Sequence, residues 1–308
     1  MQECIIIRIF LIVKWCFQTR VSGDRKIKNR DGETMGLVNM RTLLKKAEEG
    51  SWAVGSFSVA NMECIEGVIA AAEACRAPII MQIAEARLPY SPLHLIGPMM
   101  IAAAEHAAVP VAVHLDHGKT LECIQEALDL GFTSVMCDGS DRPIDENVAL
   151  TAKVVAMAAK TGAAVEAEVG RVGKNEDGSA AEEQIATLDD CLRMDATGID
   201  ALAVGIGNAH GLYAQTPHLR YEVVEEAHAK LHVALVLHGG SGLTDEQFRK
   251  LVQLGMRKLN IATDIFRAQA GACEGKDIFR NIGASSKAVS EVVSRYIRLF
   301  GSEGRADL

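Results

Sequence analysis

The chain has 308 residues, 49% hydrophobic and 23% charged, enough to bury a large core and within the size that α/β barrels reach as one domain. Its 32 basic and 40 acidic residues leave a net charge of −8, which excludes a broad basic footprint for nucleic acid and favours a small-molecule partner. The eight cysteines, at 4, 16, 64, 75, 123, 137, 191 and 273, include no Cys-x-x-Cys pair and fit reduced thiols in a cytoplasmic protein.

Residues 1–34 differ from the rest. The apolar run 4–17 is interrupted by Arg8 and Lys14, too short and too charged for a membrane span, and it lacks a small-residue cleavage site. Residues 18–34 are polar and basic, so the segment reads as a leader, appended or mis-started ahead of Met35, with a signal anchor as the alternative. The domain proper is expected over 35–308. There, short apolar runs predict strands at 53–59, 78–83, 111–115, 134–137, 163–169, 201–206, 234–237 and 258–261. Amphipathic or Ala-rich stretches between them, among them 121–130, 147–160, 221–230 and 245–254, predict helices, and Asp145 and Asp245 sit where caps are expected. Continuously apolar strands alternating with helices imply a parallel sheet covered on its outer face, and eight such units match a (β/α)8 TIM barrel. A doubly wound sheet is the alternative, weakened by the lack of a G-x-G-x-x-G after the first strand.

In a barrel the chemistry lies at the strand C-termini. His117 (HLDHG), His210 (GNAHG) and His238 (VLHGGSG) follow the third, sixth and seventh runs, each directly before glycine. Any one alone reads as a satisfied strand-end residue; together they fit a divalent metal held by imidazoles, with a position open for substrate. Asp116, Asp138, Glu166, Glu168 and Asp264 fall at the same ends, where unpartnered carboxylates are expensive to bury. Asp116, between His114 and His117, is the best placed for proton transfer. Gly239, Gly240, Ser241 and Gly242 precede a predicted helix, and Asn260, Ile261, Ala262 and Thr263 follow the eighth strand. Loops after strands seven and eight are the usual phosphate clamp of these barrels. Metal and phosphate in one pocket point to a phosphorylated, oxygen-rich substrate.

HLDHG, GFTSVMCDGS, EAEVG, AVGIGNAHGLY, LVLHGGSGL, KLNIATD and LFGSEGRA, in order from Gly36 to Arg305, together resemble the metal-dependent (class II) fructose-bisphosphate and tagatose-bisphosphate aldolase family. The resemblance implies a catalytic zinc, one per subunit, on His117, His210 and His238, and allows a monovalent cation besides. It implies that Asp116 protonates the aldehyde-derived oxygen during condensation. Asn61, Gly211, Gly239, Gly240, Ser241, Asn260, Ala262 and Thr263 would hold dihydroxyacetone phosphate, with Asn260 near the enediolate. Glu176, in the loop after strand five, would be the proton-removing base; read by itself, 171–183 is a polar, glycine-bearing lid. Asp138 and Glu168 would orient the ligands or hold the metal in an alternate position. A cytoplasmic homodimer or homotetramer of carbohydrate metabolism, with a place in glycolysis, completes the expectation, without nucleic acid or membrane.

The chain departs from the family in the half facing the far end of the substrate. Ser58 stands where Asn is common and Ala84 where Ser is usual; Lys174 and Asn175 replace Gly and Glu; Ser286, with Lys287 adjacent, falls where a basic residue meets a distal phosphate before a helix at 288–299. Arg87 or Arg142 is the expected partner of a different distal group. The alternatives are another metal-dependent sugar-phosphate barrel enzyme, an epimerase or hydrolase, or a non-catalytic sugar-phosphate binding paralogue.

Overall fold

The computed structural model describes residues 27–28, 34–173, 183–211, 213, 217–273, 275 and 277–307. Glu176, Lys174 and Asn175 lie outside the described residues. Backbone contacts divide the chain into two compact units, Met1–Met35 and Gly36–Leu308. In the first, the strands Ile27–Lys28 and Thr34–Met35 pair antiparallel.

The second unit is a closed, all-parallel barrel of eight strands: β1 Val54–Ser58, β2 Ile79–Ala84, β3 Val111–Gly118, β4 Ser134–Cys137, β5 Ala164–Val169, β6 Ala201–Val204, β7 Ala234–Leu237 and β8 Met256–Ile261, with β8 pairing back onto β1. This is the (β/α)8 fold, and closure excludes the doubly wound sheet. Apart from the half-buried Ala234 every strand residue is buried, because helices cover the outside and side chains fill the inside. The helices are α1 Met40–Gly50, α2 Met62–Ala74, α3 Leu93–His106, α4 Leu121–Leu130, α5 Ile144–Ala158, α6 Leu188–Asp195, α7 Tyr221–Lys230, α8 Asp245–Gln253, α9 Thr263–Gly271 and α10 Ile278–Leu299. None among the described residues is long and apolar enough to cross a membrane.

Several boundaries differ from the sequence reading for local reasons. Strand β3 runs on to Gly118, so Asp116 and His117 belong to the strand rather than follow it. Helix α5 starts after Pro143, and α8 is capped by Thr244, whose side chain accepts from Gln247 N while Gln247 reaches back to Thr244 N. Asp145 and Asp245 are therefore not caps but first-turn acids, where a carboxylate complements the helix dipole. Helix α10 begins at Ile278, well before residue 288, because Asp277 accepts from Phe279 N and Arg280 N at 3.0 and 3.2 Å.

Side chains two apart on a strand share a face, and that spacing sorts the interior into tiers. Val54, Ile80, Ala112, Ala164, Ala201 and Val236 form an apolar floor, closed by Met40, Leu43, Leu44 and Ala47 of α1. Two residues further along the strands come Ser56, Gln82, His114, Glu166, His238 and Lys258. Two further again are Ser58, Ala84, Asp116, Glu168 and Asn260. The interior thus turns from apolar to polar toward the strand C-termini, where the site lies.

Candidate active site

The third strand carries an irregularity that the site requires. Leu115 and Gly118 of β3 pair with Val135 and Cys137 of β4, so β3 holds one residue more than its neighbour. In a regular strand Asp116 and His117 would point to opposite faces; the bulge lets both turn inward. His117 takes up the turn at φ +45, in the left-handed region. Gly118 follows because a Cβ there would stand 2.5 Å from Met136 O. On the other side, the buried Asn208 donates to His238 O at 2.8 Å and accepts from Ile206 N at 2.9 Å. Tyr213 accepts from Ala209 N and donates to Gly239 O at 2.7 Å, tying together the loops that carry His210 and His238.

The three imidazoles converge. Ring centroids are 4.9 Å apart for His117 and His210, 4.5 Å for His117 and His238, and 6.0 Å for His210 and His238. One nitrogen from each lies within 4.8 Å of the others. His117 Nδ1 donates to Asp138 Oδ2 and His238 Nε2 to Glu166 Oε1, both at 2.8 Å. Carboxylates only accept, so the remaining nitrogens, His117 Nε2 and His238 Nδ1, carry the lone pairs, and these two face each other 2.8 Å apart. A cation is needed between them. Without a metal it is a proton: burial opposes charge on His117, but Asp116, Asp138 and Glu168 outweigh it and push the imidazole up to about 10. His238 stays well below the usual histidine range, through burial first and then the charge of His117. A divalent metal fits the same place and uses both lone pairs, with His210 as third donor.

Acids surround this centre. Glu168 Oε2 lies 3.9 Å from His117 Nδ1 and 3.8 Å from His238 Nδ1; burial and then the Asp138 charge push its carboxyl up to about 7. Asp138 is held well below the carboxylate range: burial opposes this, but the hydrogen bond from His117 and the charges of His117 and Lys119 prevail. Asp116, fully buried, accepts from Gln82 Nε2 at 3.0 Å and from Asn260 Nδ2 at 3.2 Å. Gln82 is fixed in turn by Ser56 and Ser58. Asn260 Oδ1 is buried with no donor among the described residues.

Beside the histidines the loops after β7 and β8 interlock. Gly239 has φ +61, and a Cβ on it would overlap Ala209 O. Gly240 N donates to Asn260 O at 3.2 Å, and Ser241 Oγ accepts from Asp264 N. Ala262 precedes α9 without a side-chain cap, so the positive end of that helix, starting at Thr263, opens on these loops. Gly211, at φ +82, follows His210 directly.

Other singled-out residues are engaged elsewhere. Asn61 caps α2 through Cys64 N and accepts from Gln269. Asp264 accepts from Tyr296 OH. Ser286 donates to Glu66 on α2, and the exposed Lys287 pairs with Glu291. Gln82, Asn208, Tyr213 and Lys258 were missed by the sequence reading. For Gln82 and Lys258 the signal was a polar residue inside an otherwise apolar strand; Asn208 and Tyr213, in a loop, offered none.

The family model for class II fructose-bisphosphate aldolases matches residues 38–305. The chain belongs to this family. Among curated relatives, it is 39% identical over 286 residues to a 6-phospho-5-dehydro-2-deoxy-D-gluconate aldolase of Halalkalibacterium halodurans, covering 88% of this chain and 99% of the relative. A fructose-bisphosphate aldolase of Staphylococcus epidermidis is 37% identical over 285 residues, covering 88% and 100%. Among solved structures, the YdjI aldolase of Escherichia coli K12 superposes with a TM-score of 0.80 at 33% identity, covering 88% of this chain and all of that one. The protein is thus a class II aldolase, a carbon–carbon lyase acting on a sugar phosphate, in a metal-dependent family. The epimerase, hydrolase and non-catalytic alternatives fall away.

Proposed function

We propose that this class II aldolase is zinc-dependent and reversibly cleaves a ketose 1-phosphate, or a ketose bisphosphate, to dihydroxyacetone phosphate and an aldehyde, in the cytoplasm and as a homodimer or homotetramer. The observation that carries the reading is the pair of facing lone pairs on His117 and His238, with His210 beside them and Asp116 close by. His117, His210 and His238 would hold the zinc, which would supply polarisation of the substrate ketone and stabilisation of negative charge on its oxygen. In the cleavage direction Asp116 takes the proton of the substrate hydroxyl whose carbon becomes the aldehyde; in condensation it returns that proton. Gln82 and Asn260 hold its carboxylate in place for both. Asn260 Oδ1, without a donor among the described residues, accepts from a substrate hydroxyl beside the ketone. Glu176 exchanges the proton at the carbon that becomes nucleophilic. The Gly239, Gly240 and Ser241 loop and the start of α9 bind the proximal phosphate through backbone N–H groups.

Half of the substrate is common to both relatives' names: a phosphate beside a ketone. The other end differs, since 6-phospho-5-dehydro-2-deoxy-D-gluconate ends in a carboxylate where fructose 1,6-bisphosphate ends in a second phosphate. The neutral Ser286 at the position where the family offers a basic residue to a distal phosphate favours a substrate with a different distal group. Retro-aldol assays of the zinc-loaded protein on the deoxygluconate phosphate, ketose 1-phosphates and fructose 1,6-bisphosphate decide this. Dihydroxyacetone phosphate should form, and kcat/KM should be lower for fructose 1,6-bisphosphate by about one to two decades, the scale of a lost charge-assisted contact. Chelation should abolish turnover and zinc restore it; full activity in zinc-free protein refutes the mechanism.

A further inference from the structure

The middle tier of the barrel holds a charge pair of which only the Glu166 member touches the histidine centre. Lys258 on β8 and Glu166 on β5 are both fully buried, with Nζ 2.8 Å from Oε2. The contact is an ion pair rather than an aligned hydrogen bond. Taking two charges out of water is costly, and a barrel core fills readily with apolar side chains, as the floor just below does. Substrate contact does not explain the pair, because the Lys258 amine is wholly enclosed.

Its geometry does. Glu166 uses its other oxygen, Oε1, to accept from His238 Nε2 at 2.8 Å. Two other groups stand nearby: His114, whose Nε2 is 3.7 Å from Glu166 Oε2 and whose Nδ1 bonds Ser134, and Asp116, 4.0 Å from that same Nε2. Without Lys258 the Glu166 carboxylate would be free to rotate toward His114. We propose that Lys258 is a positioning residue for His238: by holding Oε2 it sets the carboxylate so that Oε1 fixes the His238 tautomer, with hydrogen on Nε2 and the lone pair of Nδ1 presented to the metal. The signal was a lysine in KLNI, inside a strand whose other residues are buried. The inference rests on the reading of His238 as a ligand, and the test separates the two.

The test uses metal-stripped full-length protein carrying Lys258→Met, with zinc affinity measured by competition against a chromophoric chelator. Nitrogen-15 shifts of the His238 ring, assigned by comparison with His238→Ala, report the tautomer without metal. Zinc should bind about 10- to 100-fold more weakly, the scale of lost partners behind a ligand, and the single Nε2–H form of His238 should give way to a mixture. Lys258→Met leaves Glu166 buried without its partner charge, so the neutral pair Lys258→Met with Glu166→Gln is made alongside. It should melt close to the unaltered protein yet bind zinc as weakly, since an amide can turn either its donor or its acceptor to His238. A folded variant of either kind with unaltered zinc affinity and unaltered His238 shifts overturns the inference. If His238→Ala itself binds zinc as tightly as the unaltered protein, the ligand reading fails instead.

Discussion

Asp116 shows how much of this enzyme is decided by single side chains. Its carboxylate has no exposure and two amide donors, Gln82 and Asn260, an arrangement that fixes direction as well as charge. Asp116→Asn keeps the volume and removes the proton acceptor. Turnover is expected to fall by roughly 10²- to 10⁴-fold, the range for a positioned acid or base, while bound zinc by atomic absorption stays near one per subunit. Zinc lost in parallel with activity would make Asp116 structural. Gly239 is decisive for a different reason: its left-handed backbone and the nearby Ala209 carbonyl leave no room for a side chain. Gly239→Ala should raise KM for the phosphorylated substrate and lower the melting temperature, the left-handed conformation alone costing about 1–2 kcal/mol for an L-residue. An unchanged KM would take this loop out of the phosphate site.

At the scale of elements, the bulge in β3 and the plug formed by α1 divide the labour. The bulge serves chemistry, turning His117 to the side of Asp116. The plug serves stability: Met40, Leu43, Leu44 and Ala47 close the floor at the end of the barrel opposite the histidines. Leu43, fully buried, is the test. Leu43→Ala should destabilise by about 2–5 kcal/mol, as buried leucine truncations do, with zinc affinity and KM unaltered. A loss under about 1 kcal/mol by urea denaturation would mean that the floor collapses around the gap or was never closed by this helix.

On the scale of the whole molecule, every barrel strand and the entire family match, 38–305, fall within the unit Gly36–Leu308. A protein begun at Met35 is therefore expected to fold, bind zinc and turn over substrate like the full chain. Insolubility or loss of activity would show that 1–34 packs on the barrel or on a neighbouring subunit.

The fold was legible because it rests on local pattern: continuous apolar runs at strand length with amphipathic or Ala-rich stretches between them. The three His-Gly pairs were legible for the same reason, each a short motif with its own backbone requirement. By itself the sequence therefore determined the barrel, the family and the candidate metal ligands. Only the tertiary structure decided what each polar side chain meets. Glu166 and Lys258, or Gln82 and Asp116, lie far apart along the chain, and nothing in local periodicity says which tiers come level once eight strands close. The same closure supplied Asn61 with Gln269 and Ser286 with Glu66 as partners. Burial makes such partners obligatory, since an enclosed polar group without one is costly, and the barrel's register selects which partner it is.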